Sequence, residues 1–185
     1  MSSGRLLILS GPSGVGKDTL LDAWHGRNPR VQRVIAYTTR AVRPGETDGI
    51  DYHFVSPDRF HELAAGGHFL EHKEVHGNFY ATPLTDMERM LAEGRFAILK
   101  IDVQGALDVM TLRPDALAIF LLPPSMDELE RRIRCRGTED EAAITKRLQN
   151  ARDEIALSER YHRRVVNDDL ERALAELESI ARGEA

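Results

Sequence analysis

Short apolar runs alternate along the chain with segments in which apolar residues recur every three or four positions. The first run covers residues 6–9 and ends at Ser10-Gly11-Pro12. Two similar runs cover residues 96–101 and 116–122, and Pro123-Pro124 closes the second. Apolar runs of this length, bounded by Gly or Pro, predict strands buried on both faces.

The segments that follow these runs have helical periodicity. One begins at Gly16 and places Leu20, Leu21 and Trp24 on one side before Gly26 and Pro29. Others are predicted near residues 104–111, 126–135 and 144–155, and a last one after Asn167-Asp168-Asp169, which can cap it. Residues 165–166 predict a short strand before that cap. Alternating strands and helices predict an α/β fold of three layers, with a parallel sheet covered on both faces.

Residues 36–88 interrupt this alternation. They are richer in Thr, Tyr and Phe, and Gly45, Gly49 and Gly77 are turn signals between them. We interpret the segment as a small mixed subdomain inserted into the core, with one helix near residues 57–65.

Composition limits the classes of function. The chain has 185 residues, 42% of them apolar, and a formal net charge of -5. That suffices for one domain with its own core, and the acidic balance argues against nucleic acid or an anionic membrane as partner. Cys135 is the only cysteine, and the apolar run at the N-terminus is far shorter than a signal sequence or a membrane span. These features predict a cytoplasmic protein.

A glycine-rich loop joins the first predicted strand to the first predicted helix. In such a loop the backbone N–H groups converge on phosphate oxygens, the start of the helix adds its positive dipole, and the lysine reaches the β- and γ-phosphates. The loop predicts a site for ATP and comprises Gly11, Pro12, Ser13, Gly14, Val15, Gly16, Lys17, Asp18 and Thr19. The position after the lysine is normally a Ser or Thr that binds Mg²⁺. Here it is Asp18, whose carboxylate could hold Mg²⁺ directly or through water.

Arginines supply the other local positive charge. Arg40 and Arg43 stand in a Pro/Gly loop and can fork onto one phosphate group, although surface arginines without such a role are common. Arg131, Arg132, Arg134 and Arg136 lead into an acidic turn, and Arg147 follows it. The turn is either a solvated hairpin or a mobile lid, at residues 134–144, that brings arginines over a nucleotide.

These motifs, in this order, resemble guanylate kinase from Leu6 to about Ile180. The longest matching stretch is Thr38-Thr39-Arg40-Ala41-Val42-Arg43-Pro44-Gly45-Glu46. The others lie at residues 10–14, 51–55, 69–72, 77–80, 101–105, 122–125, 136–139 and 166–169. The resemblance implies ATP-dependent phosphorylation of GMP with Mg²⁺, and dGMP is a further candidate acceptor. It also implies one domain over residues 1–185, with a core (1–35, 89–133 and 145–185), a GMP-binding insert (36–88) and a lid (134–144).

The resemblance also assigns residues to the two substrates. Arg40, Arg43, Tyr52 and Tyr80 would hold the acceptor phosphate. Glu71 would accept hydrogen bonds from guanine, Thr82 would assist at the base, and Asp102 would lie near the substrate. Arg136 and Arg147 would bridge the transferring group beside Lys17, and Asn167 would lie beside the adenine. The chain departs from the family pattern at Ala36, Ala81 and Lys100, where a serine, a glycine and an acidic residue are usual.

Two other functions remain open at this level. A ribose 1,5-bisphosphate phosphokinase is related and commonly has an Asp after the loop lysine, so Asp18 favours it. A catalytically silent interaction module would have a degraded ATP loop, whereas Lys17 and its glycines are present. We expect a monomer or small homo-oligomer.

Overall fold

The computed structural model describes residues 4–75, 77–135 and 140–184. The strands in this part of the chain are β1 (Arg5–Ser10), β2 (Val31–Arg33), β3 (Tyr37–Thr38), β4 (His53–Phe54), β5 (Phe69–Val75), β6 (Asn78–Pro83), β7 (Phe96–Lys100), β8 (Leu117–Leu122) and β9 (Arg163–Val166). The helices are α1 (Lys17–Arg27), α2 (Pro57–Ala65), α3 (Leu84–Ala92), α4 (Val103–Leu112), α5 (Met126–Cys135), α6 (Glu141–Ala156) and α7 (Leu170–Arg182), with a 3₁₀ turn at Leu157–Arg160.

The larger sheet has the strand order β2-β7-β1-β8-β9, and every pairing in it is parallel. Successive residues of β1 alternate between its faces, so Leu7 and Leu9 belong to one apolar cluster while Leu6 and Ile8 belong to the other. Helices α1, α5, α6 and α7 contribute to the first cluster, and α3 and α4 contribute to the second. The predicted three-layer α/β fold is confirmed.

The interrupting segment forms a second, mixed sheet with the strand order β4-β3-β6-β5. Helix α2 begins at the Ser56 cap followed by Pro57, as predicted for residues 57–65. Its Phe60 is fully buried and stacks against Phe69 of β5 and Phe79 of β6. This aromatic cluster gives the small sheet a core of its own.

Helix α3 connects the two sheets. Its Met87 and Met90 are buried in the cluster beneath the larger sheet. Helix α3 was not predicted, because the sequence indicated a single helix in the interrupting segment, near residues 57–65. The predicted boundary at residue 88 lies inside α3, and the division into core, insert and lid stays a prediction. Residues 136–139, in the predicted lid, lie outside the described residues.

Three further details differ from the sequence prediction. Strand β2 was missed because only Val31 of its three residues is a buried apolar residue. Helix α1 continues through Gly26 to Arg27. The apolar spacing of the last helix places Leu170 on the same side as Leu174 and Leu177, but Leu170 is exposed at the start of α7. Among the described residues no helix is long and apolar enough to cross a membrane.

Candidate functional site

The glycine-rich loop follows the carboxyl end of β1, where the parallel strands of the larger sheet end together. Gly11 has φ 146°, and a Cβ there would lie 2.4 Å from the carbonyl oxygen of Leu121. Gly16 has φ 100°, and a Cβ there would lie 2.7 Å from Nδ2 of Asn167. Only glycine fits both positions, because each combines a left-handed backbone with a close neighbour. The loop thus exposes backbone N–H groups at the start of α1.

Side chains from the other end of the chain hold this loop. Asn167 Nδ2 donates to the carbonyl oxygen of Val15 at 2.8 Å, and Arg132 Nη1 donates to the same oxygen at 3.2 Å. Arg132 also donates to the carbonyl oxygen of Asn167 at 3.1 Å. Helix α5 and the segment after β9 therefore fix the loop from outside.

Two predicted cationic residues contact the loop itself. Lys17 Nζ donates to the carbonyl oxygens of Gly11 at 2.5 Å and of Pro12 at 3.1 Å. Arg147, on α6, places Nη1 3.4 Å from Oγ of Ser13. Both charges lie within reach of an anion bound by the loop.

A cavity of about 230 Å³ lies between the small sheet and the start of α4. Glu71 and Thr82 face each other across β5 and β6, and Thr82 Oγ1 donates to Glu71 Oε1 at 2.7 Å. Burial raises the pKa of Glu71 to about 7, although the Thr82 hydrogen bond opposes that rise. Ala36 and Tyr80 also line the cavity. Within the described part of the chain, Thr82 occupies one oxygen of this partly buried carboxylate, Oε1, and the other oxygen, Oε2, has no hydrogen bond.

A larger cavity, of about 390 Å³, extends from the loop to the arginines of the interrupting segment. Arg40 forms a two-pronged ion pair with Glu46, at 2.9 and 2.7 Å, and Glu46 also accepts from the backbone N–H of Arg43 at 2.8 Å. The Arg40 guanidinium lies 5.4 Å from the ring centre of Tyr52. Glu46 and Tyr52 thus fix the guanidinium of Arg40 at the cavity wall.

The two cavities share a wall. Tyr52, Lys100, Ile101 and Asp102 line both. Asp102 caps α4 by accepting from the backbone N–H of Gly105 at 2.9 Å, so its carboxylate is held at the junction. A molecule that fills both cavities would therefore pass directly between these side chains.

Asp18 is ion-paired in this structure. Lys100 Nζ donates to its carboxylate, and Arg33 Nη1 lies 3.7 Å away. Partial burial favours protonation of Asp18, but Lys100, Arg33 and Lys17 outweigh it and hold the pKa of this carboxyl below its usual range. The pKa of Lys100 is lowered by burial and by Arg33, against the opposing effect of Asp18.

The structure brings most predicted site residues to these cavities. The larger cavity contains Gly11, Ser13, Gly14, Gly16, Lys17, Asp18, Arg40, Arg43 and Asp102, and the smaller one contains Tyr52, Glu71, Tyr80 and Thr82. A further cavity beside the loop contains Thr19 and Asn167. Arg136 lies outside the described residues. The roles themselves stay predictions.

Sequence reasoning missed several residues of the larger cavity. Arg33, Glu46 and Glu154 line it without having been assigned a role, and Lys100 was noted only as a departure from the family pattern. Arg33 comes from a strand that was not predicted, and Glu154 from a helix with no local phosphate signal. These residues reach the cavity because of the strand order in the sheet, and local sequence patterns do not predict that order.

Known proteins share both sequence and fold with this chain. A sequence model of the family described as guanylate kinase matches residues 3–184. The chain belongs to the guanylate kinase family. A guanylate kinase of Trichormus variabilis is 46% identical over 96% of this chain and 89% of its own length. One of Hahella chejuensis is 47% identical over 100% of this chain and 88% of its own length.

Solved structures agree with this assignment to the guanylate kinase family. The crystal structure of guanylate kinase from Anaplasma phagocytophilum has a TM-score of 0.79 and 37% identity, covering 100% of this chain and 87% of that one. Shikimate kinase from Bacteroides thetaiotaomicron has a TM-score of 0.54 at 19% identity, covering 96% of this chain and 98% of that one. The second likeness extends to the fold alone.

Proposed function

We propose that this chain transfers the γ-phosphoryl group of ATP to GMP, with ATP on the glycine-rich loop and GMP in the cavity of Glu71. The observation that carries the proposal is the shared wall of Tyr52, Lys100, Ile101 and Asp102 between that cavity and the loop. Two phosphorylated molecules bound on either side of this wall would meet at their phosphates. Membership of the guanylate kinase family supplies the identity of both.

Glu71 is the proposed reader of the guanine base. Guanine presents two neighbouring donors, N1–H and the 2-amino group, and adenine has no such pair. A buried carboxylate facing two donors discriminates strongly, because the wrong base would leave it unpaired. Thr82 occupies one carboxylate oxygen at 2.7 Å and so fixes the orientation of the group. Ala36 offers no hydroxyl to the guanine O6, so that contact must come from elsewhere.

Arg40, Arg43, Tyr52 and Tyr80 are the proposed ligands of the GMP phosphate. Glu46 accepts from Nη1 and Nη2 of Arg40, and the guanidinium lies beside the ring of Tyr52, so its plane is fixed before a phosphate arrives. Tyr52 and Tyr80 lie with ring centres 6.0 Å apart at the same wall. Their hydroxyls and the two guanidinium groups can surround one phosphate.

Phosphoryl transfer here requires alignment and charge neutralisation more than proton removal. A phosphate oxygen of GMP attacks the γ-phosphorus, the bond to the oxygen that bridges the β- and γ-phosphates breaks, and ADP leaves. A phosphomonoester has a second pKa of about 6, so the attacking group is already mostly dianionic at neutral pH and needs no general base. Lys17 and Arg147 are the proposed cations at the transferring group, joined by Arg136, and Asn167 is the proposed neighbour of the adenine.

Mg²⁺ is a proposed partner of ATP, where it neutralises charge on the phosphates. Protein sites for Mg²⁺ in such enzymes supply few ligands besides the phosphates. Asp18 has the right oxygen chemistry, but Lys100 and Arg33 both engage its Oδ1. Because these two cations already balance the charge of Asp18, the arrangement disfavours Asp18 as a direct ligand of the metal.

A panel of acceptors tests the function. We expect ADP release from ATP to depend on GMP, to continue with dGMP, and to be weak with AMP, UMP and ribose 1,5-bisphosphate. Lys17→Ala should remove the activity with every acceptor while circular dichroism shows an intact fold. Preference for ribose 1,5-bisphosphate would overturn the assignment, and an absence of turnover with all acceptors would indicate a silent interaction module. Neither alternative is favoured by the family matches.

The charge of the protein bears on the setting of the enzyme. A net charge of -5 disfavours nucleic acid or an anionic membrane as partner, whereas the cations that line the larger cavity can bind a small phosphorylated substrate. We place the reaction in cytoplasmic purine nucleotide metabolism and expect a monomer or small homo-oligomer. Size-exclusion chromatography with light scattering measures the last point.

A further inference from the structure

Lys100 lies at the point where the proposed ATP and GMP sites meet. It ends β7, and its Cα is paired with Leu9, one residue before the end of β1, where the glycine-rich loop begins. Its side chain is only 12% exposed and lines both the small and the large cavity. The ammonium group therefore faces the space between the two substrates rather than solvent.

The charges around the larger cavity indicate a role for Lys100. The lining of the larger cavity contains five cationic residues (Lys17, Arg33, Arg40, Arg43, Lys100) and five acidic ones (Asp18, Glu46, Asp51, Asp102, Glu154). Without Lys100 the lining would carry more carboxylates than cations. An excess of carboxylates would oppose the approach of two phosphate groups, because like charges at close range repel strongly in a poorly solvated site.

The contact with Asp18 explains where Lys100 is held but not why it is buried. The Asp18 side chain is 66% exposed, and ion pairs with an exposed partner contribute little to stability. Burial of an ammonium group has a cost, which such a pair offsets only in part. A second anionic partner, present during the reaction, would account for the placement.

We propose that Lys100 is a further catalytic residue, whose ammonium group binds phosphate oxygens where the acceptor and donor phosphates meet. Asp18 is its positioning residue and holds the ammonium at the junction from the side of the loop. This inference rests on the proposed transfer from ATP to GMP. It also accounts for the unusual residue after Lys17, which would serve a lysine instead of a metal ion.

Replacing Lys100 tests the proposal directly. Lys100→Met keeps the length of the side chain and removes its charge, and Lys146→Met makes the same change at an exposed lysine on α6. We expect Lys100→Met to lower kcat with GMP by about 100-fold, the cost typical of losing one donor to a transition-state oxygen, and Lys146→Met to leave it unchanged. Lys100→Arg should recover part of the loss, since it restores the charge.

The possible outcomes separate the two proposals. A wild-type protein that does not phosphorylate GMP contradicts the proposed function. A wild type that does, together with a folded Lys100→Met of near-normal kcat, contradicts only the role of Lys100. If Lys100→Met does not fold, Lys100→Gln, which keeps a polar end group, is measured in its place by the same comparison.

The positioning role of Asp18 is tested by turnover and by Mg²⁺ binding, which together separate it from a role as metal ligand. Asp18→Asn should lower kcat, and Asp18→Glu should restore it, because only the latter can still hold the ammonium. The Mg²⁺ concentration needed for ADP binding, measured by calorimetry, should be the same in Asp18→Asn as in the wild type. Losing a residue that only orients a metal ligand already weakens metal binding by about 10- to 100-fold. A shift of that size or more in Asp18→Asn would therefore place Asp18 at the metal and overturn its positioning role.

Discussion

Glu71 is subject to two opposing demands. The proposed reading of guanine needs its carboxylate ionised, whereas burial between β5, β6 and α4 favours the protonated form and raises its pKa to about 7. Thr82 donates a hydrogen bond to the carboxylate and offsets part of that effect. GMP, which brings two donors, would supply the remaining compensation.

Acid should therefore weaken the use of GMP. Because the pKa of Glu71 is about 7 before GMP binds, we expect kcat/KM for GMP to fall up to about tenfold per pH unit below that value. The phosphate of GMP also titrates, with a second pKa of about 6. Glu71→Gln separates the two effects. This variant should have a low kcat/KM for GMP, and the pH dependence that remains should come only from titration of the GMP phosphate. Identical pH profiles in the two proteins would contradict the role of Glu71.

The same carboxylate should reduce the stability of the unliganded protein at high pH. Between an unfolded-state pKa near 4.5 and a folded-state pKa of about 7, the folded protein keeps a proton that the unfolded chain has lost, so stability falls as the pH rises. Glu71→Gln should raise the free energy of unfolding at pH 8 by about 1–3 kcal/mol, with the gain disappearing towards pH 4.5. Urea unfolding of both proteins across this range measures it. A constant difference would exclude this origin.

The sequence predicted which residues belong to the site better than it predicted the contacts between them. Lys17 and the Arg40 and Arg43 pair lie in local motifs that indicate phosphate binding, whereas Glu71 was named only through the resemblance to guanylate kinase. The ion pair of Asp18 with Lys100 joins residues far apart in the chain, and the order of β1 and β7 in the sheet brings them together. Sequence alone left Asp18 as a candidate metal ligand because its partner could not be seen.

At the scale of elements, the glycine-rich loop depends on the segment after β9. Asn167 donates to the carbonyl oxygen of Val15 and occupies the space beside Gly16. The amide thus fills the position that any side chain at Gly16 would need. The geometry of the loop and the side chain of Asn167 therefore depend on each other, although strands β2 to β9 and helices α1 to α6 separate them in the sequence.

Gly16→Ala should disrupt the contact between the loop and Asn167. Its Cβ would lie 2.7 Å from Nδ2 of Asn167 at φ 100°, so the loop must move. We expect the affinity for ATP to fall at least about tenfold, and the backbone strain to lower the stability of the fold by about 1–3 kcal/mol. Gly67→Ala is the matched control: it has φ 70° at the end of α2 with nothing within 4 Å, so it should show the strain alone. Calorimetry with ATP and thermal unfolding measure the two effects. Equal ATP binding in both variants would contradict the dependence on Asn167.

The strongly patterned elements were predictable, and the weakly patterned ones were not. Strands β1, β7 and β8 are continuous apolar runs because helices cover both of their faces, and that pattern is unambiguous. Strand β2 pairs only through β7 at the sheet edge and needs a single buried side chain, so its sequence gives little signal. The same reasoning explains the boundary placed at residue 88: the apolar side of α3 was not recognised as facing the core.

At the scale of the whole molecule, the net charge and the contacts in the cleft act on a phosphate in opposite directions. The protein carries -5 overall, while five cationic residues, matched by five acidic ones, line the larger cavity: Lys17, Arg33, Arg40, Arg43 and Lys100. The net charge repels an approaching phosphate at long range, whereas these cations attract it at contact distance. Coulomb interactions weaken with distance and with solvent exposure, so the contact pairs should dominate the binding free energy.

Added salt should change the Kd for GMP in opposite directions, depending on whether the net charge or the cleft cations dominate binding. Raising ionic strength from about 0.01 to 1 M shortens the screening length from about 30 to 3 Å. If contacts with the cleft cations dominate, the Kd for GMP should rise several-fold over this range, while the Kd for guanosine, which has no phosphate, should change little. If the net charge dominated, GMP would instead bind more tightly as salt increased. Titration calorimetry with both ligands decides between these outcomes, because the guanine contacts to Glu71 are common to the two and only the phosphate differs.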